Sequence, residues 1–149
     1  LRFLNRRHTA RQAQDAVALC QAHGFDNISI DLMYGLPNQT VETWRKTLAV
    51  AMSLGVQHLS AYSLMYEEGS PLSRLRNAHK IQELDEATSV ALFEQLIDTV
   101  ALHGFEQYEI SNFARPGFES RHNRIYWDCG DYLGLGPAAH SCMGGKRFC

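Results

Sequence analysis

The 149-residue sequence has almost no net charge, no long apolar run and no clustered cysteines, and each shortage excludes a class of function. Fourteen Lys and Arg against 16 Asp and Glu leave a formal charge of −2, without the broad positive surface of a general nucleic-acid binder. The densest apolar stretches, Ala16–Cys20 and Leu48–Met52, are five residues each. A membrane-spanning helix needs about 18 or more. The cysteines at 20, 129, 142 and 149 form neither Cys-x-x-Cys nor Cys-x-x-x-Cys, so no local zinc or iron–sulfur spacing is present. Neither Gly-x-Ser-x-Gly nor His-Glu-x-x-His occurs, which removes the simplest serine-hydrolase and zinc-hydrolase readings. The seven histidines lack regular ligand spacing. Lys is scarce beside Arg, 3 against 11, which fits either carboxylate recognition by guanidinium forks or a compositional habit of the genome. There is no initiator Met at Leu1, and the expectation is a piece of a longer protein. Scattered cysteines and the lack of a signal-like start favour a reducing, cytoplasmic setting.

What is present is an ordinary globular composition, 45% apolar and 20% charged, which argues against disorder. One arrangement recurs three times: a helical pattern, a glycine, then a β-rich run. The first helix is predicted from about Thr9 to His23, with Thr9 and Gln12 at capping-box spacing and an apolar stripe of Ala13, Ala16, Val17 and Cys20. Cys20 reads as a buried free thiol on that stripe. Gly24 closes the helix and Asn27–Met33 reads as a strand. The second helix follows Thr40 and carries Trp44, Leu48, Ala51 and Met52 up to Gly55, with a strand over Val56–Leu64. The third runs from about Asp85 to His103 with Val90, Phe93, Leu96, Ile97 and Val100; Gly104 ends it and Phe105–Ile110 is the next strand. Units of this kind in series predict parallel strands joined by crossovers, hence an α/β sheet. Tyr66–Lys80 reads as an inserted loop, and 113–149 as irregular or β structure. Three strands close no barrel, so the chain is expected to form part of a larger sheet or barrel.

In such folds the polar residues at strand C-terminal ends face the ligand, which selects Asp31, Tyr34, Ser63, Glu67, Glu109 and Asn112. Asp31 opens Asp31-Leu32-Met33-Tyr34-Gly35-Leu36-Pro37, where it can accept from ribose hydroxyls or serve as an ordinary solvated or capping residue. Glu109 can act as acid or base, or pair with a cation such as Arg115. His122, beside Tyr126 and Trp127, suits an axial iron ligand with rings against a flat macrocycle, Asn123 orienting the imidazole; a hydrogen-bonded structural histidine is the alternative. Gly134-Leu135-Gly136 puts small residues where a backbone approaches something closely, but lacks the Lys of a phosphate loop.

Taken in order, Asp31-Leu32-Met33-Tyr34-Gly35-Leu36-Pro37-Asn38-Gln39-Thr40, His58-Leu59-Ser60-Ala61-Tyr62, Tyr108-Glu109-Ile110-Ser111-Asn112-Phe113-Ala114, His122-Asn123-x-x-Tyr126-Trp127 and Tyr132-Leu133-Gly134-Leu135-Gly136-Pro137 resemble the oxygen-independent coproporphyrinogen III oxidase family of radical S-adenosylmethionine (SAM) proteins. The likeness covers essentially the whole chain from Leu4-Asn5-Arg6-Arg7-His8 onward. It implies a partial (β/α)6 barrel, with 1–112 its C-terminal βα units and 113–149 the start of a family-specific extension. It implies that Asp31 and Met33 contact SAM, that Arg6 approaches its polar groups, and that Met65 lines the same pocket. The complete His-Asn-x-x-Tyr-Trp motif is similar to the HemW-type heme-chaperone branch, with heme on His122, Asn123, Tyr126 and Trp127 and iron on His122. The small-molecule partners implied are SAM and heme or a porphyrinogen, beside a heme-acceptor protein. The Cys-x-x-x-Cys-x-x-Cys that holds the family's [4Fe–4S] cluster is absent, and the resemblance places it upstream of Leu1, leaving this chain alone unable to cleave SAM. A decarboxylating oxidase, or a non-catalytic α/β interaction domain, are the alternatives.

Overall fold

A computed structural model describes residues 1–149, the side chain of Arg2 excepted. After a short 3-10 turn at Arg2–Leu4 the chain runs through α1 (Ala10–Ala22), β1 (Ser29–Tyr34), α2 (Val41–Ser53), β2 (His58–Ser63), α3 (Pro71–Asn77) and α4 (Glu86–Leu102). Then come β3 (Glu106–Gln107), β4 (Asn112–Ala114), α5 (Arg121–Trp127), β5 (Ser141–Met143) and β6 (Lys146–Phe148). The helix starts follow the local chemistry. Thr9 caps α1 with Gln12 completing the capping box, Thr40 caps α2 with Thr43, and Asp85 accepts from Thr88 N at the head of α4.

β1 and β2 are parallel, Asp31 beside Ser60 and Met33 beside Tyr62, as the helix–Gly–strand repeat predicts. The third unit departs from that prediction. The run expected over Phe105–Ile110 is a strand only at Glu106–Gln107, and the sheet order is β1-β2-β4-β3 with β4 antiparallel to both neighbours. The sheet is therefore mixed. The cause is local: Glu109 takes hydrogen bonds from Ser111 N and from the Asn112 side-chain amide, folding the chain back so that β4 reaches β2 first. β1 pairs only with β2 and is the sheet's edge.

Strand alternation gives the sheet two unlike faces. Ile30, Leu32, Tyr34, Leu59, Ala61 and Phe113 face the helices and form the core with Trp44, Leu48, Leu92, Leu96 and Val100. Ser29, Asp31, Met33, His58, Ser60, Tyr62 and Asn112 lie on the opposite face. Tyr34 accordingly sits against Trp44 and Phe93 rather than among the ligand-facing polar groups. On α4 the buried line is Leu92, Leu96 and Val100; Val90, placed on the stripe from sequence, is exposed. Cys20 is free but only half-buried. The inserted loop contains α3, capped by Ser70 with Pro71 in its first turn. The segment 113–149, read as irregular or β, contains the helix α5 beside the hairpin of β5 and β6. Among the described residues no helix is long and apolar enough to cross a membrane.

Candidate functional site

The polar face of the sheet carries a row of polar side chains and, next to it, a hydrogen-bonded network. Asp31, Ser60 and Asn112 occupy one row across β1, β2 and β4. Asn112 is only 6% exposed; its amide nitrogen donates to Glu109, while its Oδ1 is buried without a partner. Glu109 is thus occupied by its own turn, and Arg115, its expected partner, lies instead over the Phe105 ring at 5.0 Å. One step along β2, His58 is also 6% exposed, with Nδ1 2.7 Å from Ser29 Oγ and Nε2 2.7 Å from the Tyr108 hydroxyl. That hydroxyl accepts from Ser120 N at 3.3 Å and from Asn123 Nδ2 at 3.4 Å. A phenol has one proton and two lone pairs, so with both lone pairs taken the Tyr108 proton goes to His58 Nε2. His58 is then the neutral tautomer that donates through Nδ1 to Ser29.

Burial lowers the His58 pKa below its ordinary 6.5, with the carboxylates of Asp31 and Glu109 pulling upward against it. A histidine depressed in the native state binds its proton more readily when unfolded, so its contribution to stability is full above about 6.5 and is lost as pH falls through that value toward the native pKa. Urea unfolding midpoints are expected to drop between pH about 7.5 and about 5.5, and the drop should shrink in His58→Gln. Equal slopes in both proteins would remove His58 from the cause.

The resemblance-implied SAM residues are only partly assembled. Asp31 and Met33 line a cavity of about 530 Å³ at the free edge of β1, walled by α1 and α2. Arg6 is exposed in the segment before α1 and Met65, 74% exposed, follows β2; neither lines that cavity. Glu67 is exposed on the loop before α3. Gly35, at φ +77°, brings the loop after β1 against the end of β2, where an added Cβ would stand 3.2 Å from Ser63 Oγ.

The His122 set falls together on α5. Ser120 caps that helix by accepting from Asn123 N at 3.3 Å. His122 is exposed and packs edge-on against Tyr126, one turn later, at 4.6 Å between centroids. Tyr126 packs edge-on against Tyr132 at 4.5 Å. Tyr126 is 44% and Trp127 58% exposed; the histidine shares its open surface with Tyr126, while Trp127, five positions on, stands about 140° further round the helix. A second cavity of about 440 Å³ adjoins it, lined by Tyr126, Cys129, Tyr132, Cys142 and Arg147. The Asn123 side chain is engaged with Tyr108, not with the imidazole beside it. The interior residues of this network, His58 and Tyr108, were legible only as parts of family motifs.

A sheet edge with a carboxylate and a thioether over a cavity, carrying a polar inner face, fits a segment of an α/β barrel. No family model matches the chain. It is 35% identical over 148 residues to the heme chaperone HemW of Lactococcus lactis, a match covering 99% of this chain and 39% of that protein. It is 38% identical over 140 residues to the mitochondrial radical S-adenosyl methionine domain-containing protein 1 of Bos taurus, covering 94% of this chain and 32% of that one. The solved structure of Escherichia coli coproporphyrinogen III oxidase (HemN), a radical SAM enzyme, matches with a TM-score of 0.73 at 22% identity, over 96% of this chain and 36% of that chain. The chain belongs to the radical SAM family that contains the HemW heme chaperones and has the fold of HemN. It spans 39% of the length of the HemW relative from Lactococcus lactis.

Proposed function

We propose that the chain is the part of a HemW-type heme chaperone that holds heme through His122 and contributes one wall of the SAM site. Residues 1–112 are its barrel portion and 113–149 the start of its extension. The observation that carries this reading is α5. It leaves the His122 imidazole and the Tyr126 ring together on one open surface, with the exposed Trp127 ring at the end of the same helix, while Asn123 is turned inward to Tyr108. An imidazole among exposed rings fits a flat macrocycle with an axial nitrogen ligand. Beside it, the row of Asp31, Ser60 and Asn112 fits SAM: a carboxylate, a hydroxyl and an unpartnered buried carbonyl oxygen all accept hydrogen bonds from hydroxyl or ammonium groups. Asp31 and Met33 would hold its nucleoside part, with Arg6 and Met65 approaching once the rest of the barrel is present. When bound, the [4Fe–4S] cluster supplies the electron for SAM chemistry, and its cysteine ligands lie outside this sequence. What these residues do themselves is bind, orient and keep water from one side of two ligands. A heme-acceptor protein and a cytoplasmic setting complete the proposal.

Hemin titration of the chain tests it. His122→Ala is expected to weaken binding by at least roughly tenfold and to shift the Soret band. An unchanged spectrum and affinity would sink the assignment. Anaerobic decarboxylation of coproporphyrinogen III by a longer protein containing this chain would move the reading to the oxidase branch.

A further inference from the structure

We infer that Tyr108 is a positioning residue, a pin that fastens α5 to the inner face of the sheet and thereby sets where His122 stands. The functional meaning of the pin rests on His122 as the heme ligand; its structural content does not.

Four segments distant in sequence meet through one hydroxyl. Ser29 on β1 bonds to His58 on β2, His58 bonds to Tyr108 after β3, and Tyr108 takes the hydrogen bonds of Ser120 N and Asn123 Nδ2 at the start of α5. The strongest links are on the sheet side, both 2.7 Å between heavy atoms. Those on the helix side are 3.3 and 3.4 Å. The His58 and Tyr108 rings also lie 5.7 Å apart, tilted against one another.

α5 depends on this connection because little else holds it. It has seven residues, and none of them is buried. A helix that short is not stable by propensity, so its place is set by tertiary contacts. Asn123 spends its backbone N–H on the Ser120 cap and its side-chain amide on Tyr108. Adjacent helix positions point about 100° apart, so fixing Asn123 inward fixes His122 outward, onto the edge of Tyr126. Heme geometry at His122 is in this way inherited from the sheet.

The hydroxyl is saturated, which makes its removal specific. Tyr108→Phe keeps the ring and its packing, and deletes one donor and two acceptor sites at once. Amide exchange across 121–127 is expected to accelerate by roughly fivefold or more, the loss of about one net hydrogen bond, while α2 and α4 exchange as before. Hemin should bind Tyr108→Phe with a broadened or shifted Soret band and with less affinity loss than His122→Ala. Asn123→Ala removes one of the two helix-side links, leaving Ser120 N on the hydroxyl, and should produce both effects in smaller measure, and the double variant should add nothing to Tyr108→Phe. If α2 and α4 also loosen in Tyr108→Phe, Asn123→Ala becomes the deciding variant. Unchanged α5 exchange and an unchanged hemin spectrum in whichever variant keeps its core would overturn the inference. Accelerated exchange together with an inert His122→Ala would leave the pin in place and remove the heme reading alone.

Discussion

Replacing Trp44 with alanine is expected to lower the unfolding free energy by about 3–5 kcal/mol, read as a large fall in the urea midpoint with the slope nearly unchanged. Trp44 is 0% exposed, on the face of α2 that meets α4. Its Nε1 donates to Leu92 O on α4 at 3.0 Å, and its ring lies 5.6 Å from that of Tyr34 on β1. One side chain therefore joins two helices and the strand that carries Asp31. The alanine variant removes the burial and leaves a cavity between rigid elements that cannot close around it. Trp44→Phe separates the parts of the effect. It restores most of the apolar volume but not the indole donor, and is expected to recover more than half of the loss. A deficit below about 1.5 kcal/mol in Trp44→Ala would mean that α2 and α4 are not held together here.

That residue also marks how far the sequence could be read. Trp44, Leu48 and Ala51 were legible as a core stripe because helical spacing and the Thr40 cap agree, and all three are buried. The helix caps at Thr9 and Thr40 were legible for the same reason: a cap is satisfied by its neighbour three residues on, as is Asp85, which the sequence marked only as the start of its helix. Features set by distant partners were not. Nothing local to Asn112–Ala114 says that it inserts between β2 and β3, because that order is decided by the turn at Glu109 and by the edge β2 offers. Val90 and Leu92 are equally apolar, and which of them is buried is decided by how α4 packs on α2 and the sheet. The placement of Tyr34 was within reach of the sequence, since Asp31 and Tyr34 are three apart and a strand sends odd separations to opposite faces. At the candidate site, Asp31, Met33 and the His122 set were nominated through motifs, whereas the bonding of His58 to Tyr108 spans 50 residues and has no local signature.

Gly134→Ala should damage the aromatic surface without unfolding the sheet. A Cβ at Gly134 would run into the backbone carbonyl of His140, 2.8 Å from its carbon and closer still to its oxygen, a collision with backbone that no rotamer change relieves. Gly134 N also donates to Ser141 Oγ at 3.0 Å, and its neighbour Tyr132 bridges Cys142 through two backbone hydrogen bonds, of 2.8 and 2.9 Å. The variant can relieve the clash only by pulling Tyr132–Gly134 away from His140–Cys142, which breaks that pairing. The cost is expected at or beyond the upper end of the roughly 1–3 kcal/mol typical of overpacking, since the obstacle is main chain. It should be confined to the C-terminal segment, because the core residues on α2, α4, β2 and β4 do not include it. The consequence for the site follows from the chain of ring contacts: Tyr132 packs on Tyr126, and Tyr126 on His122. Losing the first ring frees the second, so hemin should bind several-fold more weakly while the urea transition of the sheet and helices stays in place. Near-ultraviolet circular dichroism should lose tyrosine intensity in step with the affinity. Wild-type hemin affinity in a Gly134→Ala protein with altered tyrosine signals would disconnect Tyr132 from the His122 surface.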